Sequence, residues 1–535
     1  MGHQTREFGS GSSSIALPLN PIGASAPVAG TRTAWIMVAM GCAIVWLIVR
    51  AIFFLGIAGS DDMYYMRFAA EWDRSPLTHW EARLVGNGLT ALSISALGRS
   101  ELAATLPSLL ASGVILACVL IWCRLRGSLR YAWWAGLFTA VVPLDVELGT
   151  SISPHTIMAA LMVVGTLAYL WPTNTTAARW VAAVCLSLGV VTHFAGVYYV
   201  AALAVAGLIV DYRRYLPIVL RTMIVGVALL VADMAVFHFM FGDAFCRFRV
   251  CQAETTYIIH MVPRSLDGSF DWERFLWPIR NLFFSKALGI AIPIILVVAW
   301  RNRRRMEPSD RIGVLAFCGF WCWISFGSEV PWKYVPFDRM TRFMHPALFL
   351  IAGMFAVGVA GRRRSWMSMV AGATVIATFM LNLLCGGSWG QNAKISRELL
   401  AYTRDHPGRR FVTDYHTLNE MYILNGVESV PNVATIDTIP RSRLLDGSAE
   451  RVPPSEAAHY GALLINPLNV ARTPGFAVFS AEYGGRTVFE TEPRYRHICT
   501  LLPPLRGLPW AIRKPGARVL AFEPASSTVA MRGER

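Results

Sequence analysis

The stretch RWVAAVCLSLGVVTHFAGVYYVAALAVAGLIV, residues 179–210, decides how this chain crosses a membrane. A helical crossing takes about 20 apolar residues, and this run is too long for one. It is interrupted by Thr192-His193-Phe194-Ala195-Gly196, which reads as a tight turn between two short helices. The flanking arginines choose between one crossing and two. Arg124, Arg126 and Arg130 separate the runs 101–123 and 131–149, and Arg213 and Arg214 follow residue 210. Arg301 and Arg303 to Arg305 follow the run 281–300, and Arg362 to Arg364 follow 345–361. With two crossings in 179–210, every cluster falls on one side, as the positive-inside bias requires; with one, the later clusters change sides. The remaining apolar runs are 33–57, 155–171, 215–241, 311–327 and 365–385. The reading is a polytopic α-helical membrane protein of about eleven transmembrane helices with its N-terminus inside.

Composition agrees. Of 535 residues, 54% are hydrophobic and 16% charged, against about 25% charged in soluble domains. The net charge of +15 sits in short loops between apolar runs, so it records topology and not a nucleic-acid partner. Residues 1–32 are rich in Ser, Gly, Ala and Pro, lack the pattern of a cleavable signal, and read as a flexible cytoplasmic tail. Residues 33–385 form the transmembrane domain, with a first outer loop at 58–100 long enough to lie as small helices along the interface. The segments 145–154, 242–280 and 328–344 are also expected outside. So is the tail 386–535, an extracytoplasmic α/β domain. Its expected helices are Ile395–Arg404 and Leu418–Leu424, and its expected strands Arg410–Thr413, Ala462–Ile465, Phe476–Phe479, Thr487–Glu490 and Val519–Phe522. It contains no Gly-rich phosphate loop. Most of the ten cysteines lie in apolar runs as small packed hydrophobes, whereas Cys246 and Cys251 share a polar loop where a disulfide is open.

Chemistry concentrates on the outer side. Gly59-Ser60-Asp61-Asp62-Met63-Tyr64-Tyr65 sets two carboxylates at the mouth of the first span. A carboxylate deep in a bilayer costs roughly 2.5–3.5 kcal/mol, less near the interface. The pair either caps the helix that follows or faces water as a site. Asp145 and Glu147 follow the third run in Val142-Pro143-Leu144-Asp145-Val146-Glu147, and His155 opens the next after Ser153-Pro154. Lys333, Arg339 and Arg342 precede a late span, and Arg247 and Arg249 flank another outer loop. Acids so placed take a proton from an acceptor hydroxyl or amine. Cations hold a phosphate and stabilise it as it leaves. Asp233 and His238, inside a span, read as a pair that fixes helix packing.

This arrangement resembles the GT-C superfamily of integral membrane glycosyltransferases, in the branch with the lipid A aminoarabinose transferase and the protein O-mannosyltransferases. The family's acidic pair followed by an aromatic is matched by Asp61-Asp62-Met63-Tyr64-Tyr65, with Asp in place of Glu. Arg83 matches an arginine of that loop, and Arg342-Phe343-Met344-His345-Pro346 matches an Arg-aromatic-Pro motif with one residue fewer. One position departs: the family's Asp after Pro at the fourth span is His155, a group that is not permanently anionic. The resemblance implies a polyprenyl-phosphate sugar donor, a lipid, glycan or protein acceptor, and inverting displacement. It implies catalytic groups among Asp61, Asp62, Asp145, Glu147 and His155, and phosphate or substrate contacts from Tyr65, Arg83, Lys333, Arg339 and Arg342. No cofactor is read from the sequence, and a divalent metal stays open. The expected location is a bacterial inner or plasma membrane. A flippase for lipid-linked sugars would show inverted repeats, which the sequence lacks; a scaffold with a decayed site is the other alternative, left open by His155.

Overall fold

The computed structural model describes residues 32–59, 61–72, 78–251, 297, 306–327, 341–360, 365–385, 391–436, 444–470, 473, 476–477, 480, 485–496, 498–499, 502–508 and 511–521. Lys333, Arg339 and the run 281–300 lie outside them.

The helices begin where the local sequence supplies caps. α1 spans Arg32–Ile52, α2 Asp61–Ala70 and α3 Leu84–Leu97. α4 (Glu101–Leu125), α5 (Leu129–Val141), α7 (Pro154–Tyr169) and α8 (Thr176–Thr192) open on Ser100, Ser128, Ser153 and Thr175, whose hydroxyls accept backbone N–H groups of the first turn. Between α5 and α7, Pro143 starts a short α6, Pro143–Gly149. Residues 145–154 are therefore folded into the bundle, and Asp145 is fully buried.

The run 179–210 is broken where its sequence is broken. α8 ends at Thr192, and α9, Gly196–Phe241, follows after His193-Phe194-Ala195. α9 itself is interrupted at Asp211 (φ −154°, ψ 85°). A Cβ placed on Gly207 would lie 3.0 Å from Tyr215 Cγ, whereas eight residues of straight helix advance about 12 Å. Tyr169 meets both arms: its hydroxyl donates to the Leu203 carbonyl at 3.4 Å, and its ring stacks on Tyr215 at 4.6 Å. The chain thus turns back at Asp211, and Ser187 Oγ on α8 reaches the Thr222 carbonyl at 2.9 Å on the returning arm. α10 (Pro308–Phe326) opens on a Glu307–Asp310 capping box. A 3₁₀ turn, Thr341–Ala347, leads into α11 (Leu348–Phe355), and α12 covers Ser365–Cys385.

Among the described residues, four helical segments are long and apolar enough to cross a membrane: Arg32–Ile52, Glu101–Leu125, Gly196–Phe241 and Met367–Leu384. Their outward residues, among them Ile36, Leu110, Ile209, Met223, Ile224 and Phe239, are exposed, as lipid-facing side chains must be. Inward, α4, α5, α7, α8, α9, α10 and α11 share one core containing Trp122, Phe138, Met158, Tyr199, Phe320 and Phe355. Small residues bring these helices close: a Cβ on Gly136 would meet Cys42 Sγ at 2.6 Å, and one on Gly165 would meet Leu186 at 2.7 Å. The protein is a multi-pass membrane protein.

After α12 come α13 (Gln391–Asp405), β1 (Phe411–Thr413), α14 (Tyr415–Leu424), β2 (Val433–Ile436), β3 (Arg451–Val452), β4 (Ala462–Ile465) and the short α15 (Pro467–Val470). β5 (Arg486–Glu490), β6 (Arg494–Tyr495), β7 (Ile512–Lys514) and β8 (Arg518–Ala521) complete the chain. Among the described residues, six strands form one sheet in the order β3-β2-β1-β4-β8-β5. β1 is parallel to β2 and β4, and β8 runs antiparallel to β4 and β5. The expected strand at Phe476–Phe479 is corrected. Phe476 and Ala477 N–H groups bond to the Thr473 carbonyl in a helical turn, and Phe476 is apolar because that turn packs beneath the sheet. Cys246 and Cys499 form no disulfide.

This sheet-bearing unit packs on the segment between α1 and α4. Tyr422, Ile423, Val427 and Leu445 share an apolar cluster with Ile57, Met63, Tyr65 and Met66. Tyr422 Oη donates to Glu71 at 3.0 Å. Arg397 on α13 donates to Glu101 at 2.7 Å and to the Ile57 carbonyl at 3.3 Å.

Candidate active site

The acidic pair is held by a backbone that only glycine permits. After α1 the chain turns at Gly56 (φ 68°), where an added Cβ would lie 2.0 Å from Glu101 Oε2. Glu101 accepts the Ile57 N–H at 3.1 Å, Gly56 N–H bonds to the Thr150 carbonyl at 2.9 Å, and Gly59 (φ 90°) makes the second bend. α2 then begins with Asp61 and Asp62 in its first turn, where exposed N–H groups favour negative charge.

The two carboxyls have different surroundings. Asp61 Oδ2 receives Arg342 Nη1 at 2.5 Å, and both side chains are partly exposed, 18% and 12%. Asp62 points inward and accepts N–H groups of Ala58, at 2.9 Å, and Ile152. Burial, reinforced by the neighbouring Asp61 charge, pushes the Asp62 carboxyl up to about 8. At neutral pH Asp62 therefore keeps its proton.

This shift predicts a pH dependence. Between the ordinary carboxylate value of 3.8 and about 8, the folded protein keeps the Asp62 proton while the unfolded chain has lost it. The folded state binds more protons there, so this group's contribution to stability falls as pH rises through that window and levels off above it. Thermal unfolding from about pH 4 to pH 9 should show the decline in the parent protein, and Asp62→Asn should flatten it. An unchanged slope in the variant would assign the decline to other groups.

Arg83, just before α3, donates to Tyr65 Oη, with its guanidinium 5.5 Å from the Tyr65 ring centre. Both are buried, and burial pushes the Tyr65 phenol up, so it stays un-ionised. Arg83 and Arg342 lie within electrostatic reach of each other and of Asp61. The same α2–α3 loop is braced by Arg67, which donates to the fully buried Glu81 at 2.7 Å.

Arg342 is placed by the 3₁₀ turn Thr341–Ala347, and that turn is anchored at His345. His345 Nε2 meets Asp145 Oδ1 at 2.8 Å; Asp145 Oδ2 receives the Ser112 hydroxyl at 2.7 Å and the Arg50 guanidinium. Arg50, Asp145 and His345 are all buried. Asp145 is thus enclosed by α1, α4 and the 341–347 turn. Glu147 is half-buried on the same short helix, two residues on, and its carbonyl accepts the Ser151 hydroxyl at 3.0 Å.

His155 is buried with its ring 4.3 Å from His193 and 5.6 Å from Phe343. Arg83 and Arg342 are within electrostatic reach of both histidines. Asp61, Asp62, Tyr65, Arg83, Arg342 and His155 are therefore brought together, while Asp145 lies behind them. Asp233 does not pair with His238: it receives Arg247 at 3.0 Å, and Arg247 also reaches the Val191 carbonyl at 2.6 Å and lies over the Phe194 ring. Among the described residues, no three His, Cys, Asp or Glu side chains are grouped to hold a metal.

The sequence reading missed His193, His345 and Arg50. Arg50 carried a signal, since an ionisable residue ending an apolar span needs a buried partner. The two histidines stood inside stretches already singled out for a turn and for Arg342.

Among solved structures, the chain superposes on ArnT from Cupriavidus metallidurans bound to undecaprenyl phosphate with a TM-score of 0.52 and 11% identity, over 92% of this chain and 99% of that one. The chain has a GT-C fold. The apo state of the same ArnT gives a TM-score of 0.47 at 12% identity, covering 92% and 98% of the two chains. The archaeal oligosaccharyltransferase AglB from Archaeoglobus fulgidus, in complex with an inhibitory peptide and a dolichol-phosphate, gives 0.39 at 12%, covering 74% and 64%. No protein-family profile matches the chain, and no curated protein sequence does. Within the GT-C fold, the acidic pair and Arg342 stand together.

Proposed function

We propose that this protein is a membrane glycosyltransferase that moves a sugar from a polyprenyl-phosphate donor to a lipid, glycan or protein acceptor on the extracytoplasmic face. The observation that carries the reading is the Asp61–Arg342 contact at 2.5 Å, which joins a proton acceptor to a phosphate-binding cation in a GT-C fold. The topology proposed with it has about eleven crossings, a cytoplasmic tail 1–32, a transmembrane domain 33–385 and an extracytoplasmic domain 386–535. Support comes from the neighbour solved with undecaprenyl phosphate.

In the proposed reaction, the acceptor O–H or N–H attacks the anomeric carbon while its proton passes to Asp61. The bond from that carbon to the phosphate oxygen breaks, and its electron pair leaves on the phosphate. Arg342 and Arg83 stabilise that charge, and Tyr65 fixes the Arg83 fork. Lys333 and Arg339 join the same phosphate contacts. Asp62, protonated and tied to Ala58, positions Asp61. Arg342 is paired with Asp61, so a donor phosphate that takes the guanidinium frees the base. Asp145 acts through His345 as a positioning residue for Arg342. Glu147, half-buried on the same short helix as Asp145, is the remaining carboxylate that can supply the charge His155 lacks. Arg397, clamping Glu101 and Ile57, makes the outer domain part of the frame behind the acidic pair.

The full chain in lipid nanodiscs should bind undecaprenyl phosphate, and Arg342→Ala should weaken that binding about 10- to 100-fold, the worth of a charge-assisted contact. Absence of binding by the parent protein would overturn the reading.

A further inference from the structure

His155 and His193 present three ring nitrogens that have no use in the reaction above. His155 is 2% exposed, and among the described residues neither of its nitrogens has a hydrogen-bond partner. His193 is 9% exposed; its Nδ1 accepts the Ala195 N–H at 3.1 Å. The ring proton of His193 therefore sits on Nε2, and that nitrogen also has no partner among the described residues. Buried polar groups are nearly always paired, and those left open inside a functional site point to what binds there. The two rings lie 4.3 Å apart, and Phe343 stands edge-on to both at 5.6 and 5.7 Å. Phe343 directly follows Arg342, so this cluster begins beside the guanidinium assigned to the phosphate.

The chemistry of the cluster selects its ligand. An anion would go to Arg83 and Arg342, whose positive charge acts on both rings. The histidines offer something else: His193 a donor, and a neutral His155 one donor and one acceptor. A group that both donates and accepts, with an apolar C–H face to lay on an aromatic ring, is a sugar. We propose that His155, His193 and Phe343 form the subsite that reads the hydroxyl groups of the donor's sugar ring, one bond beyond the phosphate held by Arg342. This rests on the glycosyltransferase reading and deepens it. It gives the departure at His155 a role: the residue recognises the sugar as a neutral hydrogen-bonding group where a carboxylate would carry charge.

The test compares the full chain in nanodiscs binding undecaprenyl phosphate alone and undecaprenyl phosphate linked to arabinose, 4-amino-4-deoxyarabinose, glucose, galactose or mannose. The parent protein should bind at least one sugar-linked form more tightly than the bare carrier. His155→Phe and His193→Phe, which keep a ring and remove its nitrogens, should each lose that excess by about 10-fold or more, the scale on which unpaired polar groups discriminate ligands. Binding of the bare carrier should fall by less than binding of the sugar-linked form. His155→Gln and His193→Gln should retain part of the excess, and thermal unfolding of all four variants shows which are folded. An excess that survives in the folded Phe variants overturns the subsite. So does a parent protein that binds the carrier but prefers no sugar-linked form. Failure of the parent to bind even the bare carrier removes the glycosyltransferase reading itself, which is a different outcome.

Discussion

Asp61→Asn should lower the rate of sugar transfer by about 10²- to 10⁴-fold, the usual contribution of a positioned base. Asparagine keeps the shape of the side chain and removes its capacity to take the acceptor's proton. Donor binding should move differently. Arg342 is paired with the Asp61 carboxylate at 2.5 Å, and a phosphate must compete with that carboxylate for the guanidinium. The amide releases the guanidinium, so undecaprenyl phosphate should bind the variant as tightly as the parent or more tightly. A turnover loss with intact donor affinity is the signature of a group that acts on the reacting atoms, because a folding defect would weaken both. The measurement is release of the bare polyprenyl phosphate from the sugar-linked donor, beside equilibrium binding of the carrier. Unchanged transfer would take Asp61 out of the catalytic role. Movement of the lipid across the bilayer without transfer would favour a flippase.

Much of this architecture is legible from elementary rules. The interruption at 192–196 is visible because a crossing has a fixed length and arginines have a preferred side, and α8 does end at Thr192. Caps at Ser100, Ser128, Ser153 and Thr175 mark helix starts by their chemistry. What the sequence hides is depth. Asp145 reads as a loop residue because it follows Pro143 after an apolar run, yet Pro143 starts another helix and carries the carboxylate inward. Phe476 reads as a strand residue because it is apolar, and only the sheet above explains why a helical turn is apolar. The proximity of Asp61 and Arg342 spans 281 residues, and no local pattern encodes such a meeting. It follows from helix packing, in which Gly136 and Gly165 let neighbouring helices approach.

The largest effect on stability should come from Asp145→Ala. Its carboxylate is fully buried and is shared by Arg50, Ser112 and His345. Removing it leaves the Arg50 guanidinium, itself 2% exposed, as an unpaired buried charge, at a cost of about 3–5 kcal/mol. His345 loses its Nε2 partner in the same change, so the turn Thr341–Ala347 that carries Arg342 loosens. Two consequences are thus mixed in one variant, and a second variant separates them. Arg50→Met with Asp145→Leu removes both charges and fills the space, which should restore most of the stability, since an apolar pair often replaces a buried ion pair at little cost. It restores no anchor for His345. The double variant should therefore unfold near the parent's temperature while still binding undecaprenyl phosphate more weakly, because Arg342 is no longer held against the site. Recovery of stability and donor binding together would show that the Arg50–Asp145 pair supports the fold alone. A persistent binding deficit in a stable protein would show that Asp145 acts through His345 to aim the guanidinium.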